Sequence, residues 1–292
     1  SAGELRLNPS GNLSLGAGTF TGGKLATTGI AATRTLTFSS LNVSNASSLA
    51  LETTNGHRVT FTNAGTITSG LTITGWQGTY GVDFYGSVGR IFVGSDNTSL
   101  TCSQLSQIQF FDGTTTYASA LNTEGELVPV KTPTITGITP SSATAGDPGF
   151  TITVDGTNFI DGISTVTWGG SARATTFVSA TQLTATILTS DLVTATTVQV
   201  GVSNGCVASP STQTFTINAP SNSITTSAGS FGPFCNGISN DVTLSFSKTG
   251  SFSGQYNIQI SDALQNFPSD ATSQLLTYVS STSNSVTATI PS

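Results

Sequence analysis

The chain has 292 residues, of which only 8% are charged, with one His, no Met and a formal net charge of −6. Soluble domains ordinarily carry about 25% charged residues, so Ser, Thr, Gly and Asn must supply most of the surface polarity. The basic residues Arg6, Lys24, Arg34, Arg58, Arg90, Lys131, Arg173 and Lys248 form no stripe, which argues against nucleic acid as a partner. No apolar run approaches the ~18 residues of a membrane span, so no membrane insertion is expected. A hydrophobic content of 36%, arranged with persistent alternation, argues against disorder. A start at Ser1 rather than Met reads as a processed chain or a fragment.

Residues 1–131 form the first expected module. Short alternating pieces recur at Leu5 and Leu7, Leu13 and Leu15, Leu36 and Phe38, Leu49 and Leu51, Val59 and Phe61, Leu71 and Ile73, and Ile91 and Val93. Gly, Asn and Ser separate them, as turn formers do. Thr101 with Gln104 three residues on has the spacing of a capping box. A short helix is therefore predicted there, with Leu105 and Ile108 facing the core and Cys102 a small buried residue beside it. No fixed repeat period is visible. The spacing predicts a β-sandwich, with the capping end of a β-solenoid as the alternative. The runs Leu71–Gly81, Gly89–Gly94, Thr98–Phe110 and Thr123–Pro129 resemble the C-terminal part of autotransporter-like and sorting-signal-type bacterial surface domains. That resemblance, over residues 30–131, implies a secreted, repeat-rich surface protein.

Residues 132–218 are the second module. Thr132-Pro133 reads as a linker, because Pro favours extended backbone. Apolar residues then alternate in Phe150, Ile152 and Val154; Val166 and Trp168; Leu183, Ala185 and Ile187; Val198, Val200 and Val202; Phe215 and Ile217. Period two places each set on one strand face. With Gly-, Asn- and Asp-rich turns between, this predicts about seven strands in an immunoglobulin-like sandwich. The stretches Ile138–Gly146, Phe150–Phe159, Val166–Gly170 and Thr181–Ile187 resemble the IPT/TIG immunoglobulin-like domains. The resemblance implies a spacer or binding module and leaves function open.

Residues 219–292 form the third module, after a second Pro-containing junction at 218–222. Its expected core is Val242, Leu244, Phe246, Phe252, Tyr256, Ile258, Ile260, Val286, Ala288 and Ile290. The strings Phe234–Gly237, Ser245–Phe252 and Ile258–Ala263 resemble an immunoglobulin-like repeat of large surface proteins exported by type IX secretion. On that resemblance the module is truncated at its C-terminus, which would leave an unpaired strand edge.

Candidate chemistry is sparse. His57 lies in a turn without a nucleophile motif and reads as a locally hydrogen-bonded residue. Glu124 and Glu126 alternate, so both should point one way. A glycosidase pair also needs a shaped cleft, and a solvated strand end is the simpler reading. Asp96, Asp112, Asp147, Asp155 and Asp161 sit in turn-like surroundings. They could hold structural calcium, but Asx-turns account for them, and no cofactor is expected. Trp76 and Tyr80 lie in a Gly-rich loop and are the candidate glycan contacts, although Trp76 and Trp168 both continue alternating strands and read first as core residues. Of the three cysteines, Cys206 and Cys235 flank one module boundary and are the candidate disulfide, against unpaired thiols. Asn12, Asn42, Asn45 and Asn97 stand in N-x-S/T sequons.

The sequence therefore predicts an all-β chain of tandem modules, extracellular or at the cell surface. Its expected role is structural or adhesive, as a stalk, filament or surface-layer element without catalysis. Expected partners are other copies of itself, further modules of the same chain, or surface polysaccharide. A carbohydrate-binding accessory region of a larger secreted enzyme is the alternative.

Overall fold

The computed structural model describes residues 3–7, 11–27, 34–55, 57–83, 85–86 and 88–220, and in the last module only the backbone of its strands. The chain divides into two compact units, Ser1–Asn218 and Ala219–Ser292.

The first part of unit one is a coil of short strands. Its first turn carries β1 (Glu4–Arg6), β2 (Leu13–Leu15) and β3 (Gly18–Phe20). The second carries β4 (Gly23–Ala26), β5 (Thr35–Phe38) and β6 (Leu41–Val43). The third carries β7 (Ser47–Ala50), β8 (Arg58–Phe61) and β9 (Ala64–Ile67), and the fourth β10 (Leu71–Thr74) and β11 (Arg90–Val93). Each strand pairs in parallel with its equivalent one turn on. This is a β-solenoid, and the expected sandwich for the first module is corrected. The period that was missing from the sequence reading does exist. Leu13, Leu36 and Val59 are in-register partners, and bonds between turns span 23 to 25 residues. The fourth turn obscures it by inserting loops on both sides of β11.

In-register stacking aligns apolar residues in columns. Leu25, Leu49, Ile73 and Phe110 form one buried column; Leu36, Val59 and Ile91 form another. Phe38 and Phe61 stack with centroids 5.0 Å apart. A column keeps apolar character rather than residue identity, so it is hard to see as a repeat. The corners between strands explain the hydroxyl-rich composition. Side chains there donate to carbonyls one turn back, some of which, such as Phe38, also accept a backbone amide. Thr62 Oγ1 donates to the Phe38 carbonyl, Asn45 Nδ2 to Thr21 and Asn63 Nδ2 to Ser39, each one turn back. The Asn42 side-chain oxygen accepts from the Thr66 amide. The sequons at Asn42 and Asn45 thus contain asparagines with structural work.

The far end of the coil is closed. Thr101 caps α1 (Cys102–Leu105) through the expected capping box, and Leu105 and Ile108 are buried. Gln104 Nε2 donates to the Gly65 carbonyl, tying the helix to the third turn. β12 (Ile108–Phe111) continues the parallel sheet on β10; β13 (Thr116–Leu121) and β14 (Leu127–Val130) then fold back antiparallel and end the repeat.

The second part of unit one is an immunoglobulin-like sandwich. Its strands are β15 (Thr134–Thr139), β16 (Ser142–Thr144), β17 (Phe150–Thr157), β18 (Ser164–Trp168) and β19 (Ser171–Ala172). They continue with β20 (Thr175–Ser179), β21 (Gln182–Ile187), β22 (Thr196–Asn204), β23 (Val207–Ala208) and β24 (Gln213–Asn218). One sheet runs β15-β17-β21-β20, the other β16-β24-β22-β18-β19 with β23 on β22. The alternating residues meet between them: Ile152, Val154, Val166, Leu183, Ala185, Ile187, Val200, Val202, Phe215 and Ile217 are buried, and Phe150 and Val198 partly so. Trp168 belongs to this core, with its ring 4.9 Å from Phe215.

Solenoid and sandwich share a core at their junction. Ile160 and Ile163, from the sandwich, belong to the solenoid's buried cluster. Asn204 is fully buried there; its Nδ2 donates to the Lys131 and Asn158 carbonyls, and its Oδ1 accepts from Ser164 Oγ. Gly205, at φ +58°, lies so close to the cap that a Cβ on it would stand 2.9 Å from Ala120 Cβ. Beside it Cys206 is bonded to Cys102, with Cα atoms 5.4 Å apart. This corrects two expectations. Cys206 pairs with Cys102 rather than Cys235, and Cys102 is exposed in the bond rather than buried. The partners lie 104 residues apart in sequence, and only the docking of sandwich on cap brings them together. Cys235 lies outside the described residues.

In unit two the strands are β25 (Ser223–Thr226), β26 (Asn240–Thr249), β27 (Gln255–Gln259), β28 (Leu275–Ser280) and β29 (Ser285–Ile290). They form the order β25-β26-β29 and the pair β27-β28. The predicted alternations of Val242 to Phe246, Tyr256 to Ile258 and Val286 to Ile290 fall on β26, β27 and β29; Phe252 and Ile260 lie outside the described residues. β28 was not foreseen.

Two outcomes follow from this packing. Phe61→Ala should destabilise unit one by about 3–5 kcal/mol, the usual result of emptying a buried aromatic site, measurable by urea unfolding. Peptide mapping without reduction should recover the Cys102 and Cys206 peptides joined. Breaking that bond by reduction should cost about 2–5 kcal/mol, since it closes a long loop in the unfolded chain.

Candidate functional site

The long loop between β10 and β11 and the turn between β12 and β13 frame a groove at the capped end of the solenoid. Its volume is about 410 Å³, and its lining includes Thr53, Gln77, Tyr80, Phe111 and Asp112. That is within the ordinary range of ligand pockets, roughly 300–1,000 Å³. Trp76 also borders it, but at 1% exposure its ring is a core element. The indole packs edge-on to Tyr80 at 5.2 Å and to Phe110 at 6.3 Å. The burial of Trp76 agrees with its reading as a core residue and removes it as a glycan platform, whereas Tyr80 is half-buried and does reach the groove. Tyr117 leans on Tyr80 at 5.1 Å.

Asp112 is the groove's charge. Its Oδ1 accepts from the amides of Thr114 and Thr115, and its Oδ2 from Tyr117 Oη at 3.0 Å. These bonds, the Thr115 amide first, hold the carboxyl well below the usual range. Tyr80 goes the other way: burial first, then the Asp112 charge, push its phenol up to about 12. Both groups thus keep one protonation state near neutral pH. They can hydrogen-bond a hydroxylated ligand but have no tuning for proton transfer.

The second cluster lies at β8, β11 and the turn before β14. Arg58 and Arg90 are in-register partners on neighbouring turns. Arg58 stands 3.6 Å over the Phe92 ring, and Arg90 4.8 Å. Glu126 is fully buried; it accepts from Arg90 Nε at 2.9 Å and from the Gly86 amide at 2.8 Å. Glu124 is largely exposed and touches Arg90 Nη2 at 3.4 Å. The Arg90 guanidinium feels burial, which lowers its pKa, but the Glu126 bond and the two carboxylate charges raise it on balance. Arg58 is lowered by burial and then by Arg90. Glu124 and Glu126 therefore both serve one arginine and do not face each other across a cleft. Sequence reasoning missed this cluster, because the long loop between β10 and β11 offsets Arg90 from Arg58 by more than the regular period.

The remaining candidates are local. His57 is buried, and its carbonyl accepts from the Arg90 amide. Asp96 accepts from Thr98 and Ser99, Asp147 from the Thr144 amide, and Asp155 from Gln182. Among the described residues no group of His, Cys, Asp and Glu is placed to hold a metal ion. Among them, too, no helix is long and apolar enough to cross a membrane.

Residues 133–231 match the IPT/TIG domain family. This part of the chain is a TIG/IPT immunoglobulin-like domain, a non-catalytic type, and the matched span runs past Asn218 into unit two. No curated protein matches the chain.

Glu126→Ala should destabilise unit one by about 3 kcal/mol or more, because it removes Arg90's closest acceptor and leaves the buried Gly86 amide without one. Glu124→Ala should cost less than about 1 kcal/mol, as for exposed pairs; chemical denaturation separates the two. In an absorbance titration Tyr80 should ionise well above the ordinary value of 10. A raised folded pKa favours the neutral phenol, so its contribution is complete below pH 10 and disappears as pH rises towards 12.

Proposed function

We propose that the chain is a non-catalytic structural or adhesive segment of a secreted bacterial cell-surface protein, working as a stalk, filament or surface-layer element. The observation that carries this reading is the Cys102–Cys206 bond across the solenoid–sandwich junction. Disulfides persist in oxidising, extracellular settings, and this one ties two modules that already share a core. A load applied along the chain would meet a covalent tie as well as packed side chains. The immunoglobulin-like TIG domain, a common extracellular spacer, supports the same reading. The resemblance of residues 219–292 to repeats of type IX-secreted proteins extends it to that export route.

The test is an incubation of the purified chain with a panel of polysaccharides and peptidoglycan. No new reducing ends or soluble fragments are expected; turnover abolished by a single substitution would overturn the reading. Protease shaving of intact source cells should release these modules, and protection until lysis would count against surface exposure.

A second reading, a carbohydrate-binding accessory region, is favoured by the Tyr80 and Asp112 groove. It expects saturable glycan binding weakened several-fold in Tyr80→Phe, the size of one lost hydrogen bond, with the melting curve little changed because the ring stays packed on Trp76 and Tyr117. Trp76→Ala cannot discriminate, since removing a buried Trp damages the fold.

A further inference from the structure

The groove beside Tyr80 is framed by parts of the cap that are held in place without a ligand. Asp112 follows β12 directly, and the Thr114 and Thr115 amides pin its turn by donating to Oδ1. Tyr80 is wedged among Trp76, Phe110 and Tyr117, with ring centroids 5.2, 6.4 and 5.1 Å away. Gly113, also in the lining, stands at φ +104° and adds no side chain. A site fixed in this way loses little ordering entropy when a ligand arrives. The lining sets the Tyr80 and Phe111 rings beside the polar groups of Thr53, Gln77 and Asp112. Apolar walls with a few polar groups that fix orientation suit a small hydroxylated ligand.

Asp112 gives the groove its sign. The residue is exposed, and its Oδ1 is filled, because the Thr114 amide and hydroxyl and the Thr115 amide all donate to it. Among the described residues Oδ2 takes the Tyr117 hydroxyl alone, at 3.0 Å. A carboxylate oxygen offers about two acceptor positions, so Oδ2 keeps one for a ligand hydroxyl. The donors on Oδ1 hold the carboxyl well below the usual range, so the negative charge persists. No Lys or Arg of the described lining balances that charge. Arg90 is engaged by Glu126 and Glu124 in the separate cluster, and Arg58 lies over Phe92. A ligand hydroxyl therefore gains an acceptor here, whereas a ligand carboxylate or sulfate meets a like charge where it needs a donor.

We propose that this groove is a subsite for a neutral sugar residue and that Asp112 excludes uronic acids and sulfated sugars from it. The inference rests on the carbohydrate-binding reading of the groove and adds the class of sugar to it.

The test is titration calorimetry of the full 292-residue chain with gluco-, manno- and galacto-oligosaccharides, each paired with the uronate oligomer of the same linkage. Wild type should bind at least one neutral member saturably and its uronate partner at least about tenfold more weakly. Raising the salt concentration should narrow that gap, since the repulsion is between exposed charges. Asp112→Asn keeps an acceptor for the Thr114 and Thr115 amides but not the charge. It should shrink the gap to about two- or threefold, with a melting curve close to that of wild type. The salt series reads the same repulsion without any substitution, so the result does not hang on the variant's folding. A uronate bound as well as its neutral partner would overturn the neutral-sugar assignment and leave carbohydrate binding standing. So would a gap that neither salt nor Asp112→Asn alters. Saturable binding of no member of the panel would overturn both readings of the groove.

Discussion

A coil of parallel strands has no natural end, and that constraint organises this protein. Every turn satisfies its backbone by bonding to the turns above and below. The final turn must find another partner or expose a row of donors and acceptors over an apolar core. At one end the chain solves this by reversing direction. β13 and β14 turn the ladder antiparallel, α1 covers the core with Leu105, and Ile160 and Ile163 of the sandwich enter the same cluster.

The closed end also carries the Arg90–Glu126 ion pair and the disulfide. Burying Glu126 would be costly alone; Arg90 and the Gly86 amide, which donate to its carboxylate, make the burial tolerable. Arg90 in turn shares Phe92 with Arg58. The cluster holds the turn that leads into β14, and β14 leads straight to the junction at Lys131. Asn204 reads that junction from the sandwich side by bonding the Lys131 carbonyl. Loop, cap and sandwich are therefore one connected body, which is why the cysteines meet there.

The hydroxyl- and amide-rich composition serves the same architecture. Solenoid corners leave carbonyls one turn apart, and short side chains with donors reach them best. Thr62, Thr68, Asn45 and Asn63 do this repeatedly. Long charged side chains are not needed for it and are scarce. The groove beside Tyr80 is built from the irregular fourth turn, where the repeat gives way to loops that can carry binding groups.

The sequence by itself determined the sandwich and the helix cap. Antiparallel sheets with one buried face write period two directly into the chain, so Ile152, Val166, Leu183 and Phe215 were legible. The Thr101 and Gln104 box was legible because it is local. Tertiary structure alone decided the solenoid, because its period is carried by apolar columns such as Leu36, Val59 and Ile91 and is broken by the fourth turn. Alternation already pointed Trp76 into the core, and tertiary structure decided which rings cover it, Tyr80 and Phe110. It also decided the cysteine pairing. Which thiols meet depends on a contact across 104 residues, and no local pattern records a distance between separately folded surfaces.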